Sequence, residues 1–240
     1  MGIQKFLNGI RISLLIFVLS SCNHSSSPTA PTEANLKTFP PQIFAIGDSI
    51  TWGKGASVEG EGYPAMLEQK MLTAGYSGQV FNEGIPSATT EDFLPAWNWY
   101  LQQDAILLIM LGANDIMSPE LCTDPRDQQN CQMLQNIRKM TTSALNAGAL
   151  PVLATVTPTR TGDMLDMYNL AIQDLNVQLK LIAAELKVPI ADTHSAILAN
   201  GGDLLFSDAH HFNDQGYDVI ASEFFTTLLK NPLMIEKFSD

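Results

Sequence analysis

Two short polar motifs stand far apart in this 240-residue chain: Gly47-Asp48-Ser49-Ile50-Thr51 after an apolar run, and Asp208-Ala209-His210-His211 near the C-terminus. A serine hydroxyl is a weak nucleophile at its free pKa. It needs an imidazole to take its proton and a carboxylate to fix the tautomer of that imidazole. Ser49, His211 and Asp208 supply one group of each kind, the set required for acyl transfer through a covalent serine intermediate.

Two more motifs could serve the same chemistry. Asn82-Glu83-Gly84 offers a backbone N–H that can be approached without a Cβ in the way, and Gly112-Ala113-Asn114-Asp115 offers a side-chain amide. With the N–H of Ser49 itself, Gly84 and Asn114 would make an oxyanion hole. Asp48 reads as a hydrogen-bonding turn residue and Asp115 as a brace. Trp52, just beyond Ser49, is expected to touch substrate, whereas Trp97, Trp99 and Tyr100 are expected to pack. The Gly-x-Ser-x-Gly elbow is absent, because Ile50 and Thr51 follow Ser49, which argues against an α/β-hydrolase arrangement. Without a Cys-x-x-Cys pair or clustered histidines, neither a metal nor a cofactor is expected.

The elements that must position these groups follow from hydrophobic period. Strand-length apolar runs at 42–46, 79–82, 105–111, 151–157 and 189–191 alternate with helical patterns near 63–74, 91–101, 131–147 and 166–187. This is the signature of an α/β fold with a parallel sheet covered by helices. Ile172, Leu175, Leu179, Ile182 and Leu186 form one stripe of 3.6-residue period, which is core. A last helix begins after Asn213, a good N-cap, and buries Tyr217, Ile220, Ala221, Phe224 and Leu228. The motifs at Ser49, Gly84 and Asn114 each follow one of three successive strands, so a parallel sheet brings them to one rim.

The N-terminus reads as an export signal. Lys5 and Arg11 precede the apolar stretch 12–19, too short to span a bilayer and the right length for a signal-peptide core. Leu19-Ser20-Ser21-Cys22 resembles a bacterial lipobox, so residues 1–21 are expected to be removed and Cys22 lipidated. A Ser/Pro/Thr-rich stretch over 22–41 reads as a tether, leaving 42–240 as one catalytic domain. The net charge of −12 would reach −14 on loss of Lys5 and Arg11. Such a surface repels nucleic acid and anionic head groups, so membrane contact is assigned to the anchor. Cys122 and Cys131 remain as a pair, expected to form a disulfide in an exported protein.

Taken in order, the blocks Gly47-Asp48-Ser49-Ile50, Asn82-Glu83-Gly84-Ile85-Pro86-Ser87, Gly112-Ala113-Asn114-Asp115 and Asp208-Ala209-His210-His211-Phe212-Asn213 resemble those of the SGNH hydrolases, the GDSL esterase/lipase family. The resemblance covers about residues 43–229. It implies a flavodoxin-like three-layer α/β/α sandwich around a five-stranded parallel sheet, with Ser49 as nucleophile, His211 and Asp208 completing the triad, and Ser49, Gly84 and Asn114 in the oxyanion hole. The family spacing Asp-x-x-His selects His211 over His210; His194 and His24 are given no catalytic part. Ile50 stands for the common leucine, and Pro86 stands where a small or flexible residue is more usual. The expectation is a monomeric, lipid-anchored envelope esterase acting on short to medium acyl esters, similar to the bacterial lysophospholipase, thioesterase and arylesterase branch. O-acetyl groups on carbohydrate are the second choice of substrate, and a non-catalytic glycan- or lipid-binding lipoprotein is a third reading.

Overall fold

The computed structural model describes residues 37–38, 42–77, 79–118 and 120–231. The expected signal segment and the lipidated Cys22 lie outside the described residues. So does most of the expected tether, but its Lys37–Thr38 pair in parallel with Tyr76–Ser77 and are therefore held as a strand.

The central sheet has five parallel strands: β1 (Ile43–Gly47), β2 (Val80–Gly84), β3 (Ile106–Met110), β4 (Leu150–Ala154) and β5 (Ile190–Ala191), in the spatial order β2-β1-β3-β4-β5. Strands β1 and β3 read IFAIG and ILLIM and are buried throughout, as a sheet covered on both faces requires. Alternate residues feed two separate cores. Ile43, Ala45, Ile106 and Leu108 pack with Tyr63, Leu67, Phe224 and Leu228, from α2 (Tyr63–Thr73) and α8 (Asp214–Lys230). Phe44, Ile46, Leu107 and Ile109 face the other way, toward α5 (Gln132–Asn146) and α6 (Asp163–Leu186). In α6 the expected stripe is the buried face: Ile172, Leu175, Leu179 and Ile182 lie in the core and Leu186 packs against it.

The expected helix over 91–101 is divided. A short α3 (Thr90–Phe93) gives way to a 3₁₀ segment (Leu94–Tyr100), because Pro95 has no N–H to donate and its ring crowds the preceding turn. Trp97 is buried there and its indole N–H donates to Ser143 Oγ, while Trp99 is 79% exposed and does not pack as expected. Strand β4 stops at Ala154, short of the expected 157. Beyond it Val156 N–H donates instead to Asn176 Oδ1 on α6.

The register sets up the rim. Gly47 at the end of β1 lies opposite both Gly84 and Met110, so the residues leaving β1, β2 and β3 emerge side by side. The order reverses between β1 and β3, which is where open α/β sheets hold ligands.

Candidate active site

Ser49 is the first residue of a four-residue helix, α1 (Ser49–Trp52), that starts directly after β1. Asp48 caps it, accepting from Ile50 N–H at 2.9 Å. The Ser49 N–H is left without an intrahelical partner, as at any helix start. Glycine at 112, with φ +125, makes the corresponding turn after β3 and opens α4 (Ala113–Ile116), which carries Asn114.

The histidine arrives on a pinched loop. Phe206 and Phe212 form an antiparallel bridge, Ser207 N–H donates to the His211 carbonyl at 2.9 Å, and Asn213 then caps α8 by accepting from Gly216 N–H. Tyr217 on α8 donates its hydroxyl to the Lys54 carbonyl at 2.6 Å, tying this helix to the segment that follows the serine.

Across 162 residues of sequence, Ser49 Oγ lies 2.9 Å from His211 Nε2. His211 Nδ1 lies 2.7 Å from Asp208 Oδ2. The other Asp208 oxygen accepts from the backbone N–H groups of His210 and His211, both at 2.8 Å. Partial burial would raise the Asp208 pKa, but these N–H groups and the His211 ring outweigh it and hold the carboxyl down at about 2. Asp208 is therefore an anion at neutral pH, placed to fix His211 with Nδ1 protonated and Nε2 free to accept from Ser49. His210 has no place in this relay; its Nδ1 is buried without a hydrogen-bond partner, and burial lowers its pKa.

Two buried carboxylates stand behind the rim. Asp48 is pushed up to about 7, chiefly by burial and further by the Asp115 charge, against the Ile50 N–H. Asp115 is also raised by burial, although it accepts from both the backbone and hydroxyl of Thr90. Asn136 extends this network by donating to Thr90 Oγ1. Asp115 thus braces α4 against α3, as its sequence context suggested.

Of the three expected oxyanion donors, the structure brings Ser49 and Asn114 to one cavity and leaves Gly84 outside it. Gly84 N–H is already donated to Asn82 Oδ1 at 3.0 Å, and a Cβ at Gly84 would stand 2.1 Å from Trp52 N. Its lack of a side chain serves a close crossing of β2 and α1. Asn82 completes that crossing by donating to the carbonyls of Trp52 and Gly60. Trp52 meets this crossing through its backbone and does not line the cavity, contrary to expectation.

The residue of this block that does line the cavity is Ser87. Ala88 N–H donates to the Ile85 carbonyl at 3.0 Å, Pro86 takes the second position of this turn and Ser87 the third, with φ +67. That is the pattern of a type II turn, whose third residue turns its N–H away from the turn's own hydrogen bond. The Ser87 N–H is thus the free donor that Gly84 lacks. Sequence reading missed it because glycine drew attention to position 84; the proline-initiated turn was the available signal.

The cavity is about 130 Å³. Its inner wall includes buried Thr157, Thr159 and Ile172, and Ser49, Ser87 and His211 stand along it. Such a site can accept an acyl carbonyl at Ser49 with N–H groups around its oxygen. Among the described residues no three His, Cys, Asp or Glu side chains gather as a metal site would require. Away from the cavity, Cys122 and Cys131 are joined by a disulfide just ahead of α5.

Comparison with known proteins identifies the family and the fold. The family profile of the GDSL-like lipase/acylhydrolases matches residues 45–219. No curated protein shows significant similarity to the chain. Among solved structures, a member of the lipolytic G-D-S-L family from Veillonella parvula superposes with a TM-score of 0.65 at 21% identity, covering 79% of this chain and 99% of that one. An acetyl xylan esterase variant from Geobacillus stearothermophilus gives 0.64 at 21% identity, covering 79% and 95%. A lipase/acylhydrolase from Enterococcus faecalis gives 0.60 at 21% identity, covering 78% and 94%. At these identities the likeness is one of fold.

Proposed function

Since this chain belongs to the GDSL-like lipase/acylhydrolase family, we propose that it is a serine-dependent carboxylic-ester hydrolase acting on short acyl esters through an acyl-enzyme. The observation that carries the reading is the unbroken chain from Asp208 Oδ2 through the His211 ring to Ser49 Oγ, with contacts of 2.7 and 2.9 Å, beside a small cavity.

Ser49 Oγ attacks the acyl carbon while its proton passes to His211 Nε2. The Asp208 anion stabilises the resulting imidazolium. Negative charge on the former carbonyl oxygen is met by the N–H groups of Ser49 and Ser87 and by the Asn114 amide. Collapse breaks the bond to the leaving oxygen, which takes the proton from His211. Water then gives a proton to His211 and its hydroxide to the acyl carbon. The acid departs, and Ser49 Oγ recovers the proton.

A cavity of about 130 Å³ is well below the 300–1,000 Å³ that holds a drug-sized ligand, which favours an acetyl or similarly short acyl group. This observation, with the acetyl xylan esterases among the structural neighbours, also favours the narrower reading in which O-acetyl groups on carbohydrate are the substrate. Hydrolysis of p-nitrophenyl esters from acetate to palmitate by the full chain and its Ser49→Ala variant tests the assignment. Activity that peaks at acetate and vanishes in the variant is expected; equal rates in both proteins would overturn it. Export and lipidation at Cys22 are proposed from the sequence, and the intact mass of the membrane-extracted chain checks them.

A further inference from the structure

Ser87 occupies a conformation that few side chains adopt. With φ +67 at the third position of the Ile85–Ala88 turn, it stands where glycine or asparagine is the usual residue. Asparagine earns its tolerance by hydrogen-bonding locally. The Ser87 hydroxyl does nothing of the kind: it has no hydrogen-bond partner among the described residues. The fold therefore holds a serine at a position suited to glycine, with a hydroxyl that contributes nothing to folding. Such breaches of local preference, uncompensated within the protein, concentrate at functional sites.

Its place in the cavity says what that function is. The inner wall is formed by buried residues, including Ile172 at 1% exposure and Thr157 at 3%. Ser87 is exposed, so it stands at the mouth while also lining the cavity with Ser49. A short acyl group directed inward from Ser49 leaves its alcohol portion projecting through the mouth. The Ser87 hydroxyl stands there as a free donor on a short side chain fixed by the turn, and exposed Lys54 lines the same cavity as a charged donor on a long flexible stem.

We propose that the Ser87 hydroxyl donates a hydrogen bond to an oxygen of the alcohol portion of the ester, selecting oxygen-rich leaving groups such as an acetylated sugar over hydrocarbon ones. This rests on the esterase reading above. With its N–H assigned to the oxyanion site in the same reading, Ser87 contacts substrate twice, through backbone and side chain, and only the second contact is lost on truncation.

Two acetate esters separate the roles: glucose pentaacetate, rich in acceptor oxygens, and phenyl acetate, whose leaving group carries none beyond the ester. The quantity read is the ratio of their kcat/KM values for the full chain, Ser87→Ala and Ser87→Gly. Ser87→Ala removes only the hydroxyl, and Ser87→Gly also relieves the backbone, so a folding defect in the first does not obscure the second. The sugar-to-phenyl ratio is expected to fall about 3- to 10-fold in both variants, the effect of one neutral hydrogen bond. An unchanged ratio in both, or a change confined to Ser87→Gly, would overturn the proposal, the latter marking an effect of space alone. Wild-type inactivity on both esters would instead overturn the esterase reading, and this assignment with it.

Discussion

Asn114 Nδ2 donates across 2.9 Å to the main-chain carbonyl of Ala88, the last residue of the turn that carries Ser87. The segments leaving β2 and β3 are thereby locked together, and the plane of the Asn114 amide is fixed before any substrate arrives. Its other N–H makes only a 3.5 Å approach to Asp48 Oδ2 and is available to a stronger acceptor. Donors that need no reorganisation are the ones that stabilise a transition state most. Asn114→Ala is therefore expected to lower kcat by about 10²- to 10³-fold with little change in KM. Steady-state kinetics on p-nitrophenyl acetate check this, and a loss below fivefold would remove Asn114 from the oxyanion site.

Asp208 is held by the loop it serves, through the N–H groups of His210 and His211. Asn at this position keeps an oxygen for those N–H groups but removes the charge that pairs with His211 Nδ1. The imidazole then loses both its preferred tautomer and the stabilisation of its protonated form. Asp208→Asn is expected to reduce kcat by about 10³- to 10⁴-fold. The midpoint of thermal unfolding should move far less than for a core substitution. If kcat falls only in proportion to the loss of folded protein, the carboxylate is structural.

How much of this was legible in the sequence differs by element. The α6 stripe and the all-apolar runs of β1 and β3 announce themselves because one periodicity governs a whole segment. Ser49, Asp208 and His211 were legible as residue types, and Ser49 and Asn114 also as neighbours on one rim, since parallel strands align their ends. Gly84 was misplaced because sequence shows that a glycine is required without showing why: here Trp52 lies above it. Ser87 stayed hidden because its importance lies in φ, which composition does not reveal, and the division of the 91–101 helix turned on Pro95 within an otherwise helical pattern.

The Cys122–Cys131 bond closes a loop between residues nine apart in sequence, immediately before α5. On the chain-entropy account such a loop contributes about 2–3 kcal/mol by restricting the unfolded chain. Replacing both cysteines by serine is expected to lower urea-unfolding stability by about that amount under non-reducing conditions. Kinetics on p-nitrophenyl acetate should change much less, because the bond lies away from Ser49. Equal stability of the two proteins would show that the bond is absent or strained.

Buried Asp48 imposes a pH dependence on stability. Above pH 4 the unfolded chain releases this proton, whereas the folded chain keeps it to about pH 7. Rising pH through that window therefore favours the unfolded state. Asparagine at 48 preserves an oxygen for the Ile50 N–H and cannot ionise. The stability of Asp48→Asn relative to wild type should rise between pH 4 and 7, on the order of 2–4 kcal/mol in total, and stay level above that. Urea unfolding at pH 5 and pH 8 reads the difference, and a gap independent of pH would mean that Asp48 is not strained by its burial.

Positions 84 and 87 make opposite demands, and exchanging their side-chain logic should have opposite effects. A Cβ at Gly84 would meet Trp52 N at 2.1 Å, and backbone cannot retreat as the end of a side chain can. Gly84→Ala should therefore destabilise by about 1–3 kcal/mol or more, as overpacking does. Its activity should fall on every ester alike, because α1 carries Ser49 on the helix that must shift. Ser87→Gly removes a side chain from positive φ, where L-residues are disfavoured by about 1–2 kcal/mol, partly offset by the greater freedom of an unfolded glycine. A net gain of up to about 1 kcal/mol is expected in urea unfolding. A neutral Gly84→Ala would show that β2 and α1 do not cross closely at Trp52, and a destabilising Ser87→Gly would show that the serine side chain contributes to folding.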